Sequence, residues 1–273
     1  MKFSKNFLCI SCFNDDLDWF KSLNYPHIIY DKCFAGIKKT KYYPFDIGPS
    51  NLSQKYPELN ITQGEVEGYN INEYLSYIIN NYDTLPDNIV FIKGNIINRH
   101  VSLEFLKSVL DNNYFTSIED WSKFQSKNIN RFNKSFFISS DGGWEEINNS
   151  WYLNKRKHPC KYFNNFNTFM GFIFKSYICP KYIRFCPGAN YIVPKNNIKK
   201  YDLIFYKNLK YLIKYSQLSG ESHILERGLL SIWNSNYQVS ENMKVPFNEL
   251  TSFPKKDNII KANIKKLVNK LIL

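Results

Sequence analysis

No stretch limits the fold of this chain more than residues 85–100, LPDNIVFIKGNIINRH. Pro86 and Asp87 mark a turn, and NIVFI (88–92) is an apolar run of strong β-formers with no polar alternation. It stops abruptly at Lys93, Gly94 and Asn95. A strand that is apolar on every residue has both faces covered, which is the habit of parallel sheets flanked by helices. Residues 7–13 (FLCISCF) have the same form and run into Asn14, Asp15 and Asp16; residues 27–33 (HIIYDKC) form a second short strand that reaches Asp31 and Lys32.

Helical signals fall between these strands. Asn14 or Asp15 is suited to cap a helix over DLDWFKSL, with acids at its positive end. Residues 34–66 are rich in Pro, Gly, Lys and Asn and read as a long loop. In NINEYLSYIINNY, Ile71, Tyr74, Leu75, Ile78 and Ile79 share one face of a helix, and SLEFLKSVL (102–110) predicts another. Residues 111–183 hold aromatic and Asn-rich segments without a clear period. FCPGANYIVP (185–194) then predicts a strand, and two helices follow in IFYKNLKYLIKY and SHILERGLLSIW. No internal repeat or linker divides the chain. The expectation is one α/β domain over residues 1–257, with a mixed, mainly parallel sheet flanked by helices, followed by a basic amphipathic helix over 258–273.

Composition narrows the function classes. Hydrophobic residues make up 44% of the chain, with 22 Phe and 20 Tyr, enough for a packed core. The net charge of +12 fits a polyanionic partner, or a coding bias toward Lys. The lysines are scattered rather than striped and no nucleic-acid-binding signature is present, so no nucleic acid is expected as a partner. Cys9 and Cys12 are spaced C-x-x-C, but on a strand they point to opposite faces, which argues against zinc. The six cysteines are expected as reduced thiols of a cytoplasmic protein. The N-terminal apolar run is too short for a signal peptide, and no apolar run is long enough to span a bilayer.

In open α/β sheets ligands bind outside the carboxyl ends of the strands. Parallel strands would gather Asn14, Asp15, Asp16, Asp31, Lys32, Lys93, Gly94 and Asn95 on one rim. Lys32 and Lys93 offer counter-charge to phosphate, the carboxylates suit a divalent cation or a ribose hydroxyl, and Gly94 permits close approach to the backbone. A nucleotide fits that mixture. Asp15 and Asp16 serve equally well as capping groups, and Lys93 as a solvated loop lysine.

The segments FNDDLDWF, IIYDKC, YLSYIINNYDTLPDNIVFIKGN, CPGANYIV and ILERGLLSIW occur in that order. They resemble the motifs of an uncharacterised family of GT-A-like glycosyltransferase domains. Asn14, Asp15, Asp16, Leu17 and Trp19 match its Asn-Glu-Asp-Leu-x-Trp turn. Tyr30, Asp31 and Lys32 match part of its Tyr-Asn-Lys-Gly, with Cys33 in place of the Gly. Tyr74, Leu75, Asn81, Tyr82, Asp83, Leu85, Pro86, Asp87, Phe91 and Gly94 match its longest block, with Lys93 in place of a Gln and Gly68, Tyr69 and Asn70 in place of the Gly-Arg-Glu before it. Pro187, Gly188 and Ala189 match its Pro-Gly-Ala, and Glu226 and Arg227 its Glu-Arg pair. The resemblance implies a GT-A-like fold. It also implies transfer of a sugar from a nucleotide-diphosphate donor to a hydroxyl of a glycan, lipid-linked or protein acceptor, with Mn2+ or Mg2+ as the usual cofactor. The chain departs from the pattern at the metal: GT-A enzymes place Asp-x-Asp at the end of a central strand, where this chain has Lys93, Gly94 and Asn95. Its only Asp-x-Asp, Asp16-Leu17-Asp18, follows the first strand, so Lys93 is a candidate replacement for the cation.

The resemblance further implies a base for the acceptor's proton. Glu221, at the start of a helix, and Glu226 are the candidates; five residues apart, they stand about 140° from one another around the helix. Trp144, Gly188, Ala189 and His223 are the candidate acceptor contacts, with Asp141 a spare carboxylate nearby. The alternatives are a catalytically inactive glycan-binding relative and a basic nucleic-acid-binding protein.

In NIIKANIKKLVNKLIL, Ile260, Ile264, Leu267, Val268 and Leu271 share a face and the lysines lie elsewhere. Such a helix either packs on its own domain or lies on an anionic membrane as a peripheral contact. Deleting residues 258–273 separates the two. Loss of anionic-liposome binding with folding intact marks the membrane role, and aggregation marks packing.

Overall fold

The computed structural model describes residues 6–39, 46–97, 99–120, 136–139, 143–148 and 158–250. The expected helix at 258–273 and Asp141 lie outside these residues. The elements run β1 (Phe7–Cys12), β2 (His27–Asp31), α1 (Leu52–Lys55), β3 (Ile61–Gln63), α2 (Tyr69–Asn80), β4 (Asn88–Lys93), α3 (Leu103–Val109) and β5 (Thr116–Ser117). The second half holds β6 (Phe136–Ile138), β7 (Trp144–Ile147), α4 (Phe166–Ile173), β8 (Tyr182–Arg184), β9 (Tyr191–Pro194), α5 (Lys195–Lys199), α6 (Leu203–Ile213) and α7 (Gly220–Asn234).

The main sheet has the order β3-β2-β1-β4-β9-β5. β3, β2, β1 and β4 are parallel neighbours, while β9 runs antiparallel to both β4 and β5. A small antiparallel sheet, β6-β7-β8, stands apart from it. The mixed α/β architecture with a mostly parallel sheet follows from the apolar strands. Alternate residues of β1, β4 and β9 enter two cores: Cys9, Phe91 and Tyr191 face one side, and Leu8, Ile10, Val90, Ile92 and Ile192 the other. Helices α2, α4, α6 and α7 contribute to the first core and α3 to the second. Cys9 and Cys12 fall in different cores, as a strand requires, and all six cysteines are free; Cys160 is half-buried and Cys179 exposed.

Several local expectations are corrected. The helix expected over residues 16–23 is a 3-10 turn at Asp18–Ser22 whose N-cap, Leu17, makes no side-chain capping bond. The intended caps are used elsewhere: Asn14 is exposed with φ +54°, and Asp15 turns back to the Phe13 amide. The loop expected over 34–66 contains α1 and β3, and β3 pairs with β2. The strand expected over 185–194 begins only at Tyr191, because Gly188 and Ala189 both have left-handed backbone, at φ +82° and +57°. No helix among the described residues is long and apolar enough to cross a membrane.

An aromatic contact ties helix α7 to the sheet. Trp233 of α7 stacks on Phe91 of β4 with ring centroids 5.3 Å apart, and both side chains are fully buried. A Phe91→Ala substitution removes that platform and is expected to lower the unfolding free energy by about 3–5 kcal/mol in a urea titration.

Candidate functional site

Because β1, β2 and β4 are parallel, their carboxyl ends share one edge, and the strand order reverses between β1 and β4. That is where open α/β sheets leave a crevice. A cavity of about 230 Å³ lies there, reached by Ser11 near the end of β1, Phe13 and Asp15 after it, Lys32 after β2, and Lys93 and Asn95 at the end of β4. A second cavity of about 350 Å³ adjoins it, bounded by Trp144, Gly188, His223, Glu226 and Arg227. Tyr69, Asn70, Lys93 and Arg99 line both, so the two form one bipartite cleft.

Two cations stand on the shared wall. Among the described residues neither the Lys93 ammonium nor the Arg99 guanidinium makes a hydrogen bond or an ion pair. Burial, and then Arg99, push the Lys93 ammonium below its ordinary value, against the pull of Glu226 and Asp15. Asp15 sits nearby; burial raises its carboxyl, while the Phe13 amide, Lys93, Arg99 and Asn95 lower it. His100, on the second cavity, is 9% exposed, and its Nε2 has no partner among the described residues. Burial, Lys93 and Arg99 hold its imidazole down to about 3, so it is neutral at physiological pH. Arg99 and His100 escaped the sequence reading because they lie in the irregular loop after β4, where no period or motif marks them.

The first cavity keeps Asp15, Lys93 and Asn95 of the expected rim. The others have different work. Lys32 reaches the cavity wall, but its ammonium is 2.6 Å from the Glu73 carboxylate and also donates to the carbonyls of Glu65, Glu67 and Tyr69. Its charge is therefore neutralised within the protein. Asp31 is buried and accepts from the Cys33 amide at 2.9 Å, closing a turn. Asp16 is exposed and binds Lys55, Tyr56 and the Asp18 amide, which with burial opposing hold its carboxyl down at about 2. Asn14 occupies its left-handed turn and does not line the cleft. Gly94 admits a protein group rather than a ligand: a Cβ there would lie 2.8 Å from Asp15 Oδ2 and 3.1 Å from Cys12 Sγ. The back of the same loop is fastened by Trp19, whose indole nitrogen donates to the Gly94 carbonyl at 2.9 Å.

In the second cavity the Pro-Gly-Ala and Glu-Arg segments meet. Gly188 donates its amide to Glu226 Oε1 at 2.7 Å, and Asn70 donates to the Gly188 carbonyl at 2.9 Å. Arg227 donates to Glu226 at 2.8 Å and to the fully buried Glu146 at 3.0 Å. His223 Nδ1 is 4.0 Å from Glu226. Trp144 belongs to an aromatic corner with Phe136 and Phe185 on the cavity wall. Ala189 is fully buried and lines neither cavity, so it is not a contact residue. Glu221 is also fully buried and faces away from the cleft, accepting from the amides of Tyr162 (2.6 Å) and Phe163 (2.9 Å) and from the Tyr215 hydroxyl. The helix start that made Glu221 a candidate base is covered by the segment before α4.

A divalent cation needs several oxygen or imidazole ligands converging on one point. Among the described residues no group of three His, Cys, Asp or Glu side chains is so arranged. The end of β4 presents an ammonium, a glycine and an amide, with one carboxylate, Asp15, beside two cations. That donor set does not fit Mn2+ or Mg2+.

Fold and cleft together define an α/β protein with a cation-bearing crevice at the carboxyl edge of its parallel strands. A protein-family profile described as "Protein of unknown function (DUF3431)" matches residues 11–247, and the chain belongs to that family. Searches among curated proteins and among solved structures each found no match.

The anchoring role of Glu221 has a measurable signature. Glu221→Ala leaves the Tyr162 and Phe163 amides without their acceptor, while the Tyr215 hydroxyl keeps the Pro159 carbonyl, and is expected to cost about 2 kcal/mol or more in urea unfolding. A catalytic carboxylate at the cleft surface would give no such loss.

Proposed function

We propose that this is a GT-A-like glycosyltransferase that moves a sugar from a nucleotide-diphosphate donor to an acceptor hydroxyl on a glycan, lipid-linked or protein substrate. The observation that carries the reading is the pair of cations, Lys93 and Arg99, on the wall common to two adjoining cavities. A diphosphate bridging a nucleoside and a sugar needs counter-charge at its middle and a compartment on each side. The nucleoside is assigned to the first cavity, with Asp15 and Asn95 for ribose hydroxyls, and the sugar and acceptor to the second.

In the reaction, the acceptor oxygen attacks the anomeric carbon and its proton passes to Glu226. The bond from that carbon to the diphosphate oxygen breaks, and the nucleoside diphosphate leaves with the electron pair. Lys93 and Arg99 stabilise the charge that develops on it, the role a divalent cation plays where one is bound. Trp144 offers an apolar face to a sugar ring, and the neutral His100 a hydrogen-bonding group. Gly188 fixes Glu226 through its amide.

The test is a panel of nucleotide sugars assayed for turnover with and without EDTA. Turnover of one donor that survives chelation is expected. Lys93→Ala and Arg99→Ala are each expected to lower kcat by roughly 10²–10³-fold. Glu226→Gln is expected to lower it by roughly 10²–10⁴-fold with donor affinity kept. A wild-type protein that neither turns over any donor nor binds any nucleoside diphosphate sinks the proposal.

A further inference from the structure

Tyr69 holds an unusual position. It opens α2 with φ +58°, directly after Gly68 at φ +71°. Glycine takes left-handed backbone without cost, but a bulky aromatic there is strained. Such strain persists only where the surroundings over-determine it, and it collects at functional sites. The surroundings here are specific. Lys32 donates to the Tyr69 carbonyl at 2.9 Å and the Glu67 carbonyl at 3.3 Å, as well as to the carbonyl of Glu65. The Tyr69 amide donates to the Gln217 carbonyl at 3.3 Å and the Gly68 amide to that of Ser216 at 2.9 Å. Glu73 completes the arrangement: one oxygen takes Lys32 at 2.6 Å and the other the Glu65 amide at 3.1 Å.

Lys32 and Glu73 are 4% and 1% exposed. A pair so buried is seldom more stable than apolar side chains of the same volume. What it does here is geometric, since one ammonium gathers three carbonyls of a single segment. The segment delivers the Tyr69 ring to the place where the two cavities join, edge-on to His223 with centroids 4.8 Å apart and next to the Lys93 and Arg99 wall.

We propose that Tyr69 contacts the ligand at the junction of the two cavities, and that the buried Lys32–Glu73 pair is the positioning device that holds it there, a claim that rests on the nucleotide-sugar reading of the cleft. Lys32 is thus a positioning residue, acting through Tyr69.

The experiment titrates UDP, CDP, GDP, ADP and inorganic pyrophosphate into the full-length protein by calorimetry. Tyr69→Gly keeps the left-handed backbone and removes the ring. It is expected to weaken the best nucleoside diphosphate by about tenfold or more and to spare pyrophosphate, which needs only Lys93 and Arg99. The double variant Lys32→Met/Glu73→Leu replaces the pair by apolar groups. It is expected to melt cooperatively, to show the same loss of affinity, and to raise hydrogen exchange locally over residues 64–70 without ligand. Adding Tyr69→Gly to that double variant is expected to cost no further affinity, because the two changes remove one contact. Additive losses, or wild-type exchange over 64–70 in the double variant, overturn the positioning claim. Unchanged nucleoside diphosphate affinity in Tyr69→Gly overturns the contact claim, and needs no folded double variant. Failure of the wild-type protein to bind pyrophosphate and every nucleoside diphosphate would instead remove the nucleotide-sugar reading, and both claims with it.

Discussion

The β1–β4 pair governs this molecule. Both strands are apolar on both faces, so each must be covered on each side, and the sheet divides the interior into two cores. Unpaired polar groups cannot be placed along such strands without large cost. They are displaced to the strand ends, where Ser11, Asp15, Lys93 and Asn95 meet at one edge. The cleft is therefore a consequence of how the sheet is buried.

The walls of that cleft come from distant parts of the chain, and polar bonds between backbone and side chain hold them in register. Asn190, just before β9, accepts the Lys93 amide with its side-chain carbonyl and so continues the pairing where the strand has ended. Next to it, the left-handed turn at Gly188 and Ala189 exposes one amide to Glu226 and one carbonyl to Asn70. Helices α7 and α2 thus converge on a single residue, Gly188, ahead of β9. The carboxylate at that point is also fixed by Arg227, itself bound to Glu146 of the small sheet, which links the second cavity to both sheets.

Legibility in the sequence followed the range of the interactions. The strands β1, β2 and β4 and the helices α2, α6 and α7 were visible because burial leaves a local pattern of apolar residues. The convergence of Asp15, Lys93 and Asn95 was visible because parallel pairing follows from that pattern. β3 was not: its three residues are a strand only because β2 lies alongside. The fate of Lys32 depends on Glu73, 41 positions away, and that of Glu221 on amides 58 and 59 positions away. No local spacing encodes such partners. Gly94 reads in the sequence as a place where a ligand comes close to the backbone; the group that comes close is the Asp15 carboxylate, which no local pattern distinguishes from a ligand.

The bond from the Trp19 indole to the Gly94 carbonyl has a practical bearing. It joins an optical probe to the rear of the loop whose front carries Lys93 and Asn95. A molecule that displaced that loop would alter the field at the indole ring and so change its emission, against the background of the chain's four other tryptophans.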